Sequence, residues 1–220
     1  MRTAVIIPAY QAADSLPELL ERTLRIIPVG SVIVVNDGSR DSTAEVAARF
    51  GVTVLSHEKN RGKGAALQSG FDHVLRSNDD AAVTMDADLQ HRPEDIPRFI
   101  ALHEVMHHDV IIGSRLHNTA GMPFHRFLSN TITTGLVKAR TGAVIADSQS
   151  GFRFITRRVL EHVRLTSPGF EAETEFLIKA AARRFSFGSI PIDTIYAGEK
   201  SSMTHVHTTV NFIKVLLRQY

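Results

Sequence analysis

The sequence contains no cysteine, no long apolar run and no large excess of charge of either sign. Without cysteine the chain has no disulfides and no thiolate ligands for a metal, and the cytoplasm is its expected location. The apolar run in MRTAVIIPAY is too short for a signal peptide. No stretch reaches the roughly 18–20 apolar residues of a membrane-spanning helix, so we expect any membrane contact to be peripheral, on the inner face, or through a partner protein.

Acidic and basic side chains nearly balance, so the net charge gives no indication that the protein binds nucleic acid or another polyanion. The chain has 25 basic and 23 acidic side chains in 220 residues, a net charge of +2, so nucleic acid is not an expected partner. Its 11 histidines are scattered without the spacing of a zinc site. With 43% hydrophobic residues and no convincing linker, the sequence predicts one globular domain.

Short apolar runs alternate with helical patterns through the first half of the chain. The runs TAVII, SVIVV, VTVLS, AAVTM and DVIIG have the composition of strands buried on both faces. Helical spacing of apolar residues follows in SLPELLERTLRII, GKGAALQSGFDHVL and PEDIPRFIALHEVM, with a further helix that starts near Ser42 and ends at Gly51. This alternation predicts an α/β fold with a largely parallel sheet and helices on both faces.

Two helix starts carry the signature of a capping box. Ser15 with Glu18, and Ser42 with Glu45, place a hydroxyl and a carboxylate three residues apart at the start of an apolar period. We expect each serine side chain to cap its helix.

Polar motifs follow the first, second and fourth predicted strands. These motifs are PAY, NDGS and DADLQ. Because ligands of open α/β sheets bind beyond the carboxyl ends of the strands, the three motifs are expected to converge on one site.

The segment MDADLQHRPED places two carboxylates and an amide directly after a buried strand. Asp86, Asp88 and Gln90 form an oxygen-rich set that suits Mg²⁺ or Mn²⁺, with open positions left for the phosphates of a nucleotide. A helix cap or a solvated turn is the alternative interpretation.

Other motifs offer contacts to a nucleotide. Asp37 in NDGS could accept hydrogen bonds from a nucleobase or ribose, or it could form an Asx turn. Tyr10 could stack on a base or simply pack. The segment NRGKG opens the third helix, where Lys63 and free backbone N–H groups could meet an anion, or it could be a flexible cationic loop.

Three arginines are candidates for binding phosphate. Arg115 ends the fifth strand, and Arg126 and Arg153 come from later loops. Each could neutralise phosphate through two parallel hydrogen bonds or pair with a surface carboxylate.

Taken together, VIIPAY, VVNDGSRDST, NRGKGAAL, MDADLQHRPEDI, IIGSR and DSQSGFRF resemble the inverting family-two glycosyltransferases of the GT-A fold. Within that family the sequence resembles the dolichyl-phosphate mannose synthase-like, polyprenyl-phosphate sugar transferases, closely over roughly the first 160 residues. The resemblance implies one three-layer domain over 1–220, with a nucleotide-sugar-binding half at 1–115 and an acceptor half at 116–220.

The resemblance also implies roles for individual residues. Arg115 and Arg126 would face donor or acceptor phosphates, and Glu173 or Glu175 in GFEAETEF would lie near the reacting sugar unless both belong to an exposed acidic first turn. Asp86, Asp88 and Gln90 would hold the metal. Residues assigned to the nucleotide sugar are Pro8, Tyr10, Asp37, Gly62, Lys63, Gly64, Asp86, Asp88 and Arg153.

The expected activity is metal-dependent transfer of a sugar from a GDP- or UDP-sugar to a dolichyl- or undecaprenyl-type phosphate, as in cell-envelope glycan synthesis. A sugar hydroxyl is the alternative acceptor, and it would need Glu173, Glu175 or Asp147 as a base. A non-catalytic module that binds nucleotide sugars is a further alternative. Gln11-Ala12 stands where the family usually has Asn-Glu, which leaves the donor open.

The C-terminal segment VNFIKVLLRQY predicts an amphipathic helix. Its apolar face would comprise Val210, Ile213, Leu216, Leu217 and Tyr220. This face would lie in a membrane interface or dock on the protein's own core. Many relatives continue into transmembrane helices, whereas this chain stops at Tyr220. Because no stretch is long enough to span a membrane, a membrane-anchoring partner protein is a further expected partner.

Overall fold

The computed structural model describes residues 1–116, 124–193 and 205–220, without the side chains of 124–126 and 205–208. The strands are β1 (Thr3–Ala9), β2 (Val32–Asn36), β3 (Thr53–Ser56), β4 (Ala81–Thr84), β5 (Val110–Ser114), β6 (Arg153–Thr156) and β7 (Phe187–Pro191). The helices are α1 (Leu16–Leu24), α2 (Thr43–Arg49), α3 (Lys63–Arg76), α4 (Ile96–Met106), α5 (Phe124–Thr141), α6 (Arg157–His162), α7 (Ala172–Ala182) and α8 (His205–Leu217).

The strands form one seven-stranded sheet in the order β3-β2-β1-β4-β6-β5-β7. The first four strands are parallel, and their carboxyl ends meet at one edge because Ala9 aligns with Asn36 and Asn36 aligns with Ser56. The predicted α/β fold with a mostly parallel sheet is therefore confirmed, and all five predicted strands are present.

Strand β6 departs from the parallel arrangement, and the sequence did not predict it. It runs antiparallel between β4 and β5, while β7 pairs parallel with β5. The four residues of β6 include a buried arginine, Arg153, which breaks the apolar run by which strands are predicted. Strands β1 to β5 lie within residues 1–115 and strands β6 and β7 within 116–220, so both halves of the sequence contribute to the one sheet.

The sheet buries an apolar face on each side. Alternating side chains of β1 separate the two cores, with Ile6 in one and Val5 and Ile7 in the other. Helices α1, α2 and α4 cover the face with Val5, and α3, α5, α6, α7 and α8 cover the opposite face. The predicted three layers are present.

The predicted capping boxes are wrong. The Ser15 hydroxyl donates to the carbonyl of Ala87 at 2.6 Å, so it ties α1 to the segment after β4. Ser42 makes no side-chain cap, and the Asp41 carboxylate instead accepts from the backbone N–H of Thr43 at 3.1 Å. Gly51 follows α2 with a φ of 71°, as predicted for a residue that ends a helix.

Helix α8 divides its apolar side chains between the core and the surface. Phe212 and Val215 are buried against the core, although the sequence interpretation did not assign them to the apolar face. Val210, Ile213 and Leu217 are exposed. Among the described residues, no helix combines the length and apolarity needed to cross a bilayer.

Candidate active site

A groove of about 800 Å³ opens at the carboxyl edge of β1, β2 and β4. Its walls come from the ends of these strands, the start of α3 and the residues before α7. The lining residues are Pro8, Ala9, Tyr10, Gln11, Ala12, Asp14, Ser15, Asp37, Asn60, Gly62, Lys63, Ala66, Asp86, Ala87, Asp88, Gly169 and Phe170. The three predicted motifs do converge.

The residues after β1 form one wall of the groove. The Tyr10 side chain is half exposed and presents its ring to the groove. Gln11 takes a positive φ of 54°, donates its N–H to the Ser39 hydroxyl at 3.0 Å, and accepts from the Asp41 N–H at 3.3 Å. The side chain that departs from the family pattern is therefore tied to the loop after β2.

Asp37 lies at the end of β2 and organises the loop before α3. Its carboxylate accepts from the backbone N–H groups of Arg61 at 2.9 Å and Gly62 at 2.8 Å, and from the ring of His57 at 2.6 Å. A carboxylate offers about four lone-pair positions, so Asp37 retains capacity for a ligand hydroxyl or amine.

Lys63 joins two carboxylates from distant parts of the chain. Its Nζ lies 2.6 Å from Asp86 Oδ1 and 2.6 Å from Glu173 Oε1. Burial alone would lower the pKa of Lys63, but the two carboxylates outweigh it, so this pKa lies above its ordinary value. Burial likewise raises the pKa of Asp86, but the Lys63 ammonium beside it brings the value below the ordinary one. Lys63 and Asp86 are therefore both charged at neutral pH.

Glycines allow the chain to approach this cluster closely. A Cβ on Gly64 would lie 2.2 Å from the carbonyl oxygen of Ser167, and one on Gly62 would lie 2.4 Å from that of Pro168. A Cβ on Gly151 would lie 2.8 Å from Asp86 Oδ2 and 3.0 Å from Glu173 Oε1. The carboxylates of the cluster thus occupy space that any other residue at position 151 would fill.

Asp86 and Asp88 supply oxygen ligands of the type preferred by a hard divalent cation. Both line the groove, and Asp88 Oδ1 accepts from the backbone N–H of Gln90 at 3.1 Å. Within the described ranges no group of three or more His, Asp or Glu side chains is arranged around one point. Two carboxylates at the groove still fit Mg²⁺ or Mn²⁺, which keep several positions for water and phosphate oxygens.

Arg115 pairs with a fully buried carboxylate beside the groove. Its Nε donates to Asp147 Oδ2 at 2.8 Å and its second guanidinium nitrogen donates to Asp147 Oδ1 at 3.1 Å. Burial raises the pKa of Asp147, but the Arg115 guanidinium holds it below its ordinary range. Burial also lowers the pKa of His91 to about 4, so its ring is neutral at pH 7.

Residues 4–164 of the chain match the family described as Glycosyl transferase family 2. The chain belongs to this family. The resemblance to family-two glycosyltransferases is confirmed, and with it the prediction that the protein is an enzyme.

Relatives of this family 2 glycosyltransferase include transferases named for lipid phosphates. It is 31% identical over 203 residues to the polyprenol monophosphomannose synthase of Mycolicibacterium smegmatis, covering 87% of this chain and 76% of the relative. It is 28% identical over 214 residues to the UDP-N-acetylglucosamine–dolichyl-phosphate N-acetylglucosaminyltransferase of Methanococcus voltae, covering 87% and 85%. Identity to the dolichol-phosphate mannosyltransferase of Pyrococcus furiosus is 33% over 206 residues, covering 86% of this chain but 57% of that relative.

Solved structures share the architecture of the glycosyltransferase. Glucosyl-3-phosphoglycerate synthase from Mycobacterium tuberculosis, crystallised with Mn²⁺, UDP-glucose and phosphoglyceric acid, superimposes with a TM-score of 0.77. The match covers 98% of this chain and 78% of that chain at 19% identity. At this identity the likeness bears on the fold, and it confirms the predicted GT-A architecture.

The structure brings most of the predicted site residues of the glycosyltransferase together. Arg115 lies beside the groove, Gln90 lies next to Asp88, and Gly64 packs beneath the groove against the chain at Ser167. The side chain of Arg126 falls outside the described residues. Predicted residues that line the groove are Pro8, Tyr10, Asp37, Gly62, Lys63, Asp86 and Asp88, and Glu173 contacts Lys63 behind them. Their functional roles stay predictions.

Arg153 does not reach the groove. Its side chain is buried and donates to the backbone carbonyls of Ser148, Ser150 and Glu173 at 2.7–3.0 Å. This arrangement fixes the start of α7 and the position of Glu173. It does not present the guanidinium to a phosphate.

Glu175 is also removed from the groove and holds the loop before α7. Its fully buried carboxylate accepts from the N–H groups of Thr166 and Ser167 and pairs with Lys179 Nζ at 2.5 Å. Burial raises the pKa of Glu175, but hydrogen bonds from Lys179, Thr166 and Ser167 outweigh it, so the pKa lies below its ordinary value.

We expect Glu175→Gln to lower the free energy of unfolding by about 3 kcal/mol at pH 7, because Lys179 would lose its buried counter-ion. Because the pKa of Glu175 is lower in the folded state, its ionised form stabilises the fold at any pH above the ordinary glutamate pKa. This stabilisation is lost as the pH falls through the lower pKa of the folded state. The difference between wild type and variant should therefore shrink below about pH 4.3. Urea unfolding at pH 7 and pH 3 measures this difference in unfolding free energy, and equal stability of the two proteins at pH 7 would contradict the stabilising role of the Glu175–Lys179 pair.

Several groove residues were missed by sequence reasoning. Asn60 and Phe170 line the groove, and Gly151 and His91 pack behind it. Phe170 lies in the segment GFEAETEF, of which only the glutamates were predicted to be site residues. Its position two residues before α7 was the available signal. Gly151 offered no signal, because its importance arises from contacts with residues far away in sequence.

Proposed function

We propose that this glycosyltransferase transfers a sugar from a nucleotide-sugar donor to a polyprenyl phosphate, with Mg²⁺ or Mn²⁺ as cofactor. The names of relatives at about 30% identity, which include polyprenol, dolichyl-phosphate and undecaprenyl-phosphate transferases, support this acceptor class. The groove at the carboxyl edge, with its oxygen ligands and its exposed tyrosine, supports the donor class.

The ion pairs of the candidate bases favour a phosphate acceptor over a hydroxyl acceptor. Glu173 pairs with Lys63, Glu175 with Lys179, and Asp147 with Arg115. The pKa values of Asp147 and Glu175 lie below their ordinary range, which makes these carboxylates weak bases toward a hydroxyl. A phosphate oxygen is already anionic near pH 7 and attacks without a base.

The groove residues would bind and orient the donor. Tyr10 offers a ring face to the nucleobase, and Asp37 offers an acceptor to the base or ribose. Lys63 places a positive charge where the diphosphate would lie. A bound Mg²⁺ or Mn²⁺, held by Asp86, Asp88 and Gln90, would stabilise the negative charge on the departing nucleoside diphosphate. Attack from the opposite face of the sugar would invert the anomeric carbon, and Arg115 and Arg126 would neutralise the acceptor phosphate.

Exposed apolar side chains on two neighbouring helices support a lipid acceptor. Leu128, Ile132 and Leu136 recur at a helical spacing of four along α5 and are exposed. Val210, Ile213 and Leu217 are exposed on α8, which contacts α5 through a hydrogen bond from Arg140 Nε to the carbonyl of Leu216 at 3.2 Å. Exposed basic residues on the two helices and directly after α8 are suited to anionic lipid headgroups; they are Lys138, Arg140, Lys214 and Arg218. We therefore propose peripheral contact with a membrane surface.

Matched lipid acceptors test the proposal. We expect the protein, given Mn²⁺ and labelled UDP-glucose, UDP-N-acetylglucosamine or GDP-mannose, to glycosylate undecaprenyl phosphate from one of these donors. Undecaprenol carries a hydroxyl in place of the phosphate. Its rate should be lower by about 10²-fold or more, because a paired carboxylate cannot take the hydroxyl proton efficiently. Labelled lipid extracted into organic solvent gives both rates.

Two outcomes would contradict the proposal. Equal transfer to undecaprenol, or to a soluble sugar, would mean that the acceptor is a hydroxyl. Tight binding of a donor without nucleotide release in the presence of any acceptor would indicate a binding module.

A further inference from the structure

A line of hydrogen bonds runs from the middle of α3 to the groove through His57, which follows β3. The ring Nδ1 lies 2.6 Å from Asp37 Oδ1, and Nε2 lies 2.9 Å from the Ser69 hydroxyl. The side chains of His57 and Asp37 are 7% and 4% exposed. With a partner at each nitrogen, the ring has one orientation in the folded protein.

The surroundings of Asp37 determine which ring nitrogen carries a proton. The carboxylate already accepts two backbone N–H bonds, so Nδ1 must donate to it as a third donor. The Ser69 hydroxyl can donate to Nε2 of a neutral ring or accept from a charged one. In either state the ring fixes the orientation of the Asp37 carboxylate.

The orientation of Asp37 in turn sets one wall of the groove. The backbone of residues 57–62 crosses so close to the turn after β2 that a Cβ on Gly38 would lie 2.3 Å from the carbonyl carbon of Lys59. The Asp37 carboxylate anchors the end of this segment at Arg61 and Gly62, directly before Lys63. A rotated Asp37 would release both N–H groups and alter the wall formed by Asn60, Gly62 and Lys63.

We infer that His57 is a positioning residue for the nucleotide: its Nδ1–H holds Asp37 in the rotamer that both organises the 57–62 segment and faces the ligand. The inference rests on the proposed function, because the ligand is taken to be the donor nucleotide. Ser69 sets the plane of the ring from the other side, so the whole line places α3 relative to the end of β2.

Two substitutions distinguish the roles of the two ring nitrogens of His57. In His57→Asn the side-chain amide reaches the position of Nδ1 and can donate to Asp37, whereas in His57→Gln it reaches the position of Nε2 and meets Ser69 instead. We expect His57→Gln to weaken UDP or GDP binding about tenfold, equivalent to about 1.4 kcal/mol, and to raise the donor KM similarly. His57→Asn should stay within about threefold of wild type, and kcat should change less than about threefold in both variants.

Calorimetric titration with UDP and with GDP in Mn²⁺, donor kinetics and hydrogen exchange provide the readouts. The Arg61 and Gly62 amides of the nucleotide-free protein should exchange faster in His57→Gln than in His57→Asn. His107→Asn, at an exposed position with a φ of 55° that asparagine tolerates, controls for loss of an imidazole.

Equal weakening in both His57 variants, wild-type binding in His57→Gln, or a loss confined to kcat would overturn the inference. If wild-type protein binds neither UDP nor GDP, the proposed function fails. Hydrogen exchange then decides the role of His57 by itself: equal exchange of the two amides in both variants overturns it, and faster exchange in His57→Gln supports it.

Discussion

Asp88→Asn should lower kcat/KM for nucleotide-sugar turnover by about 10³-fold, a loss typical of removing one group that stabilises charge in the transition state. Asp88 lines the groove at the end of β4, and its Oδ1 accepts from the N–H of Gln90. The amide of asparagine keeps the same volume and can still accept that bond through its oxygen. The fold should therefore persist while the negative charge disappears.

Two measurements distinguish a metal ligand from a residue that shapes the groove. Electron paramagnetic resonance titrations measure Mn²⁺ affinity from the signal of the unbound ion. The affinity of Asp88→Asn should be more than about tenfold lower than that of wild type, since a neutral amide is a poorer ligand for a hard cation. Nucleotide release with and without EDTA gives the turnover. Asp80→Asn, which alters an exposed carboxylate bonded to the N–H of Arg2, is the matched control. Unchanged Mn²⁺ affinity in Asp88→Asn would refute the proposed metal site.

Gly151→Ala should lower turnover by about 10²-fold with little loss of stability, because a small misplacement of groups at a reacting centre has an effect of this size. The new Cβ would lie 2.8 Å from Asp86 Oδ2 and 3.0 Å from Glu173 Oε1, so both carboxylates would have to leave the positions in which they contact Lys63. The displaced atoms are the ends of side chains rather than backbone. We expect the free energy of unfolding to fall by about 1 kcal/mol or less.

Two other glycines provide the controls for this prediction. A Cβ on Gly64 would meet the backbone oxygen of Ser167 at 2.2 Å, so Gly64→Ala should destabilise the protein by about 2 kcal/mol. Gly135 lies in α5, where a Cβ would meet no other atom within 4 Å, so Gly135→Ala should leave turnover unchanged and stability equal or higher. Full activity in Gly151→Ala would show that the geometry of the carboxylate cluster is not critical.

Local sequence pattern was sufficient to predict the first half of the fold. Strands β1 to β5 are marked by β-branched runs, and α3 by apolar residues at Leu67, Phe71 and Val74, all of which are buried. Strand β6 contains a buried arginine, so it lacks the apolar run that marks β1 to β5. The serine caps failed for a related reason, since the Ser15 hydroxyl is used in a contact with Ala87 that the local sequence cannot reveal.

The same limit applies to the groove. Residues that follow parallel strands, such as Tyr10, Asp37, Asp86 and Asp88, were predictable because the carboxyl ends of those strands share one edge. An antiparallel strand contributes the residues that precede it instead, which brings Asp147 and Gly151 to this edge. Arg153 and Glu175 are charged residues of the kind found in active sites, but both are buried and bonded to backbone groups. Only the packing of the folded chain reveals these positions.

The place of β6 has a consequence for folding during synthesis. Strands β1 to β4 can pair as soon as residue 84 leaves the ribosome, but β5 pairs with β6 and β7, which follow it in the chain. For roughly 40 residues of translation the nascent chain therefore carries an open β4 edge and an unpartnered β5. Such edges are templates for aggregation, so the growing polypeptide should be most prone to aggregate before β6 emerges and joins β4 to β5.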